Sequence, residues 1–153
     1  MGSRAPRLTL DVQFAVKSAS LPSKQQLRIW SQAALERDAQ VTLRLVDEAE
    51  GLRLNRTYRG RDYATNVLTF TYEGQVLPWS GPLSGDIVLC APVIEAEARE
   101  QGKTPEAHYA HLVVHGMLHL QGYDHERDDE AAVMETRESE IVVKLGYPDP
   151  YHV

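Results

Sequence analysis

The sequence predicts an α+β domain, a single four-stranded sheet packed with about five helices, one of them buried against the sheet. Three observations carry that prediction. Four short segments alternate apolar with polar residues, or are rich in β-branched and aromatic ones, as strands are. The remaining segments repeat apolar residues at helical spacing, and two such helices follow one another at the end of the chain instead of alternating with strands. Around the axis of the helix predicted to end near Gln121, Tyr109, Leu112, Val113, Val114, Met117, Leu118 and Leu120 occupy nearly every direction, which suits a helix inside a core.

The first strand is Leu8 to Phe14, a clean alternation. Ser20 and Ser23 flank Pro22 ahead of a helix from Gln25 to Arg37, with Leu27, Trp30, Ala34 and Leu35 in phase. Val41 to Val46 alternates again as the second strand, and a short helix from Asp47 or Glu48 reaches about Tyr58 despite Gly51. Arg59 to Asn66 reads as a loop, Val67 to Tyr72 as the third strand, and residues 73–84, with Gly, Pro and Ser and Trp79 at the tip, as another loop. Gly85 to Cys90 is the fourth strand. Pro92 opens a helix closed by Gly102, and Thr104-Pro105 caps the next, which runs to about Gln121. Asp128 and Asp129 cap a last helix that ends at Gly146.

A chain of 153 residues suits one domain, 1–153, with loose ends at 1–7 and 148–153. The one cysteine, Cys90, cannot form an internal bridge and sits in an apolar run, as an inert buried thiol does. With no apolar stretch of membrane-spanning length and no secretory hydrophobic segment at the start, the expectation is a cytoplasmic protein without a membrane partner. The net charge of −6 argues against indiscriminate attraction to nucleic acid, but it is unevenly spread. Arg53, Arg56, Arg59 and Arg61 fall within nine residues that contain no acid, a local basic patch or simply a solvated face.

The stretch H-G-M-L-H-L-Q-G-Y-D-H, from His115 to His125, carries the chemistry. At about 100° per residue, His115 and His119 project from the same side of a helix and can share one metal ion. Gly122 can end that helix and let the chain turn back to deliver His125 as a third ligand. Three nitrogens around one Zn²⁺ leave its fourth tetrahedral position open, which distinguishes catalytic from structural zinc. The spacing matches the long zinc-protease signature H-E-x-x-H-x-x-G-x-x-H except at the glutamate, where this chain has Gly116. Zincin-like ligand geometry is therefore expected without the general base of proteolysis. His108 and His111 extend the polar row of the helix and read as surface or hydrogen-bonding histidines.

This stretch, together with N-R-T-Y-R-G-R-D-Y-A-T-N-V-L-T-F from Asn55 to Phe70 and G-D-I-V-L-C from Gly85 to Cys90, resembles the YbeY family of bacterial endoribonucleases and ribosomal RNA maturation factors. The resemblance runs from Leu52 to Gly146. It implies one metal ion, zinc, on His115, His119 and His125, and a functional arginine at Arg59. It also implies cleavage of single-stranded RNA, maturation of the small-subunit rRNA 3′ end, a part in ribosome quality control, and the ribosome or its assembly proteins as partners. One departure is Asn66, where many relatives carry aspartate.

On this view the guanidinium of Arg59, with paired donors matched to phosphate, holds the scissile group against the metal. The nucleophile is water or the substrate's own 2′-hydroxyl, with His111, Asp124 or Glu126 as candidate bases. Asp124 is better placed as a helix cap or as the partner of a ligand imidazole, and Asp86 as the cap of a turn at the sheet edge. The competing functions are a non-catalytic, metal-stabilised RNA-binding assembly factor and, lacking its base, a metalloprotease.

Overall fold

The computed structural model describes residues 5–72 and 82–151; the expected loop tip at Trp79 lies outside them. In chain order the elements are β1 (Leu8–Ala15), α1 (Lys24–Ala33), β2 (Ala39–Val46), α2 (Glu48–Arg59), β3 (Val67–Thr71), β4 (Leu83–Cys90), α3 (Ala91–Gln101), α4 (Pro105–Leu120) and α5 (Asp128–Lys144). The α+β class, the four-stranded sheet and the five helices are as the sequence predicts.

The strands lie in the order β1-β2-β4-β3. β1, β2 and β4 run parallel and β3 returns antiparallel along the edge of β4, pairing Val67 with Leu89 and Thr71 with Gly85. Alternation in β2 sends Val41, Leu43 and Leu45 to one face, where with Ile87 and Leu89 of β4 they meet Leu112, Val113, Met117 and Leu118 of α4. The opposite face is smaller: Val46, Leu68, Val88 and Cys90, covered by Leu54 of α2 and Val93 of α3.

Local chemistry accounts for the helix starts. Ser23 and Gln26 form a reciprocal capping box on α1, and the side chains of Asp47 and Thr104 accept from the third residue beyond them at the starts of α2 and α4. α5 differs from expectation. Its N-cap is Arg127, without a side-chain cap bond, so Asp128 and Asp129 complement the helix dipole from inside the first turn.

α4 is the central helix, with Tyr109, Val113, Val114, Met117 and Leu118 fully buried. Burial of side chains of this size stabilises by about 1.5–3 kcal/mol each. Gly116 makes its close approach to the sheet possible, since a Cβ there would stand 3.1 Å from Ile87 Cγ2. At the far end of the chain, the Tyr147 hydroxyl donates to Glu106, Ser139 donates to Asp149 and Tyr151 donates to Glu138. Among the described residues no helix is long and apolar enough to cross a membrane.

Candidate functional site

Four residues apart on α4, His115 and His119 present rings that are parallel within 1°, their centroids 6.4 Å apart. Gly122, at φ +109°, stops the helix, a conformation costly for a residue with a side chain. The chain then folds back: Tyr123 N–H donates to Leu118, and Asp124 Oδ1 accepts from the backbone N–H of His125 at 2.7 Å. This turn brings the His125 ring to 5.6 Å from His115 and 5.9 Å from His119.

The hydrogen bonds decide which nitrogen of each ring is available. His119 Nδ1 lies 3.1 Å from the Tyr123 carbonyl, which can only accept, so Nδ1 carries the proton. His115 Nδ1 lies 3.0 Å from Glu138 Oε2. Burial alone would push the Glu138 carboxyl up, but hydrogen bonds from His111, His115 and Tyr151 outweigh it and hold the carboxyl down at about 2. Glu138 is thus an acceptor-only carboxylate, and His115 donates from Nδ1. With the proton of each ring held on Nδ1, the neutral form of either carries its lone pair on Nε2, the nitrogen a metal would take. Burial, reinforced by the neighbouring His115, also lowers the pKa of His119, which favours its neutral form.

This donor set fits a divalent cation that prefers nitrogen ligands, as zinc does. Asp124 adds an oxygen: ligand atoms of His119, Asp124 and His125 lie within 4.8 Å of one another. Asp124 thereby enters the site directly, beyond the capping or supporting role expected of it.

His115, His119 and His125 line an open cavity of about 540 Å³ whose other walls include Arg59, Tyr58, Phe70, Asp124 and Glu126. Arg59 is the last residue of α2, not the first of a loop, and Gly60 closes the helix behind it. Asn55, 1% exposed, donates to the Tyr63 carbonyl at 2.7 Å and ties the following turn back to the helix. Tyr58 remains 65% exposed at the cavity and meets Phe70 edge-on at 5.2 Å.

Other singled-out residues stand elsewhere. His111 gives Nε2 to Glu138 at 2.7 Å and lines a second cavity with Lys103 and Tyr147, so it is not placed as a base for the first. His108 is buried against Glu97, the same carboxylate that accepts from Asn66. Asp86 lies within β4 and accepts from the Tyr72 hydroxyl, with no turn to cap. Two contributors were not singled out from sequence, Glu138 and the exposed Tyr58. Glu138 had a signal: it falls in helical phase with Met134, Ile141 and Val142, which face the core.

The family model described as Endoribonuclease YbeY matches residues 12–146. The Endoribonuclease YbeY of Methylobacillus flagellatus is 58% identical over 146 residues, covering 95% of each chain. That of Paraburkholderia phymatum is 56% identical over 154 residues, 97% of this chain and 99% of its own. Among solved structures, the solution structure of TM1509 from Thermotoga maritima superposes with a TM-score of 0.55 at 26% identity, across 95% of this chain and 100% of that one. With relatives this similar along nearly its whole length, the chain belongs to the YbeY family of endoribonucleases.

Proposed function

We propose that this protein is a zinc-dependent endoribonuclease, selective for single strands, that matures the 3′ end of small-subunit rRNA in the cytoplasm and serves ribosome quality control alongside the ribosome or its assembly proteins. The observation that carries the proposal is the sharing of one open cavity by three imidazoles and Arg59.

His115, His119 and His125 would hold the ion. Zinc bound there supplies a Lewis acid that offsets charge on a phosphate oxygen and makes water more acidic. The chain's own residues do the rest. Arg59 pairs its guanidinium with the scissile phosphate and neutralises charge that builds on its non-bridging oxygens. With Gly116 packed on Ile87, no carboxylate stands where a zinc protease keeps its base. Asp124 and Glu126 are the acids on the cavity wall, and one of them accepts the proton of the attacking hydroxyl, whether water or the 2′-hydroxyl. Tyr58 and Phe70 offer an aromatic face to a base that is not already stacked, which favours single strands over duplex.

The test is zinc content together with cleavage of a labelled single-stranded RNA by wild type, His115→Ala and Arg59→Glu. His115→Ala should lose both metal and cutting, while Arg59→Glu should keep metal and lose cutting by a factor of roughly a hundred or more. A 2′-deoxy nucleotide at the cut site that blocks turnover identifies the 2′-hydroxyl as nucleophile. Metal-free protein that cuts as fast as the zinc-loaded form would overturn the proposal, and a folded, zinc-loaded wild type that binds RNA without cutting it would establish the assembly-factor alternative.

A further inference from the structure

The Glu138 side chain is sealed from solvent, yet it is a charged group at a core-facing position of α5. A buried carboxylate is tolerated only when fully partnered, and this one takes three donors. Oε1 accepts from His111 Nε2 at 2.7 Å and from the Tyr151 hydroxyl at 2.7 Å, and Oε2 accepts from His115 Nδ1 at 3.0 Å. These donors come from two turns of α4 and from the segment after α5.

Resting on the three-histidine site proposed above, we propose that Glu138 is a positioning residue for His115: by accepting the Nδ1 proton it holds the ring in the tautomer whose Nε2 lone pair is free for a metal ion. Tyr151 and His111 orient the carboxylate by occupying its other oxygen. The segment following α5 is therefore part of the support of the site. A neutral imidazole without such a partner distributes its proton between both nitrogens, and a ligand carboxylate or carbonyl on the outer nitrogen also raises the basicity of the inner one.

The division of labour between the two oxygens makes Glu138→Gln a specific probe. An amide can keep its oxygen where His111 and Tyr151 both donate, which turns its NH₂ toward His115 Nδ1. Two donors cannot face each other, so the His115 proton moves to Nε2 and occupies the metal-binding position. Glu97→Gln is the control, because it breaks a comparable carboxylate–imidazole pair, with His108, away from the cavity.

The experiment reads zinc affinity by competition with a chromophoric chelator and the His115 tautomer by long-range ¹H–¹⁵N NMR of the metal-free protein. Wild type should show His115 protonated on Nδ1. Glu138→Gln should show it shifted toward Nε2, with zinc bound about 10–100-fold more weakly, whereas Glu97→Gln should bind zinc as wild type does. Wild-type His115 found mainly in the Nε2–H form overturns the proposal, even if Glu138→Gln fails to fold. So does a folded Glu138→Gln protein with wild-type zinc affinity. A wild type that takes up no zinc, with His115 nonetheless on Nδ1, overturns instead the metal reading on which the proposal stands and removes its functional consequence.

Discussion

Asn55 and Tyr63 are joined by one hydrogen bond, side-chain amide to backbone carbonyl at 2.7 Å, that spans the turn immediately after Arg59. Asn55 is buried, and the bond anchors the turn to α2. Asn55→Ala should cost about 1–2 kcal/mol of stability, the usual penalty for removing one partner of such a bond. RNA cleavage should fall further than stability predicts, because the turn that follows Arg59 at the cavity wall is released, while zinc content stays unchanged. Equal loss of activity and zinc would show that the turn supports the whole cavity and not the arginine.

Two donor sets could hold the proposed cation. His119 and His125 belong to both, so the third ligand decides between His115 and Asp124. Imidazole is a common zinc ligand, and Asp124 is already engaged with the His125 backbone N–H. His115→Ala should therefore abolish stoichiometric zinc, whereas Asp124→Asn should retain it with modestly weaker affinity. Metal analysis after dialysis checks this, and the reverse pattern would replace His115 by Asp124 in the ligand set.

Much of this was legible in the sequence because it depends on local spacing. His115 and His119 are neighbours on any helix, and Gly122 stops the helix in time to return His125. What depends on tertiary contact was not legible. The antiparallel placement of β3 beside β4 is set by packing, and no local pattern in Val67 to Thr71 encodes it. α1 ends at Ala33, and the apolar rhythm runs on through Ala34 and Leu35 because both remain buried after the backbone has left the helix. Glu138 was hidden among the many acids from Asp124 to Glu140, and its inward phase alone separated it from them.

Tyr58 is two-thirds exposed beside Arg59 on the cavity wall. Stacking one base on an aromatic ring contributes about 1–3 kcal/mol. Tyr58→Ala should accordingly weaken binding of single-stranded RNA by about 5- to 150-fold, with Tyr58→Phe close to wild type. An RNA carrying an abasic nucleotide at the contacted position should bind both proteins alike. If Tyr58→Ala discriminates against the abasic RNA as strongly as wild type does, Tyr58 is not the stacking platform.

His108 is buried between Glu97, Lys103 and His111, and burial lowers its pKa from the ordinary 6.5 despite the hydrogen bond to Glu97. A histidine whose folded pKa is depressed binds fewer protons folded than unfolded as pH falls, so stability must fall with it. The contribution is complete above the unfolded value of 6.5 and is lost progressively below it, toward the lower folded value. Urea unfolding of metal-free protein should thus give a lower midpoint at about pH 5.5 than at about pH 7.5. His108→Gln can still donate to Glu97 but cannot titrate, and it should remove part of that difference; His119, also depressed by burial, keeps its own share. A midpoint difference left whole in His108→Gln would show that His108 does not link protonation to unfolding.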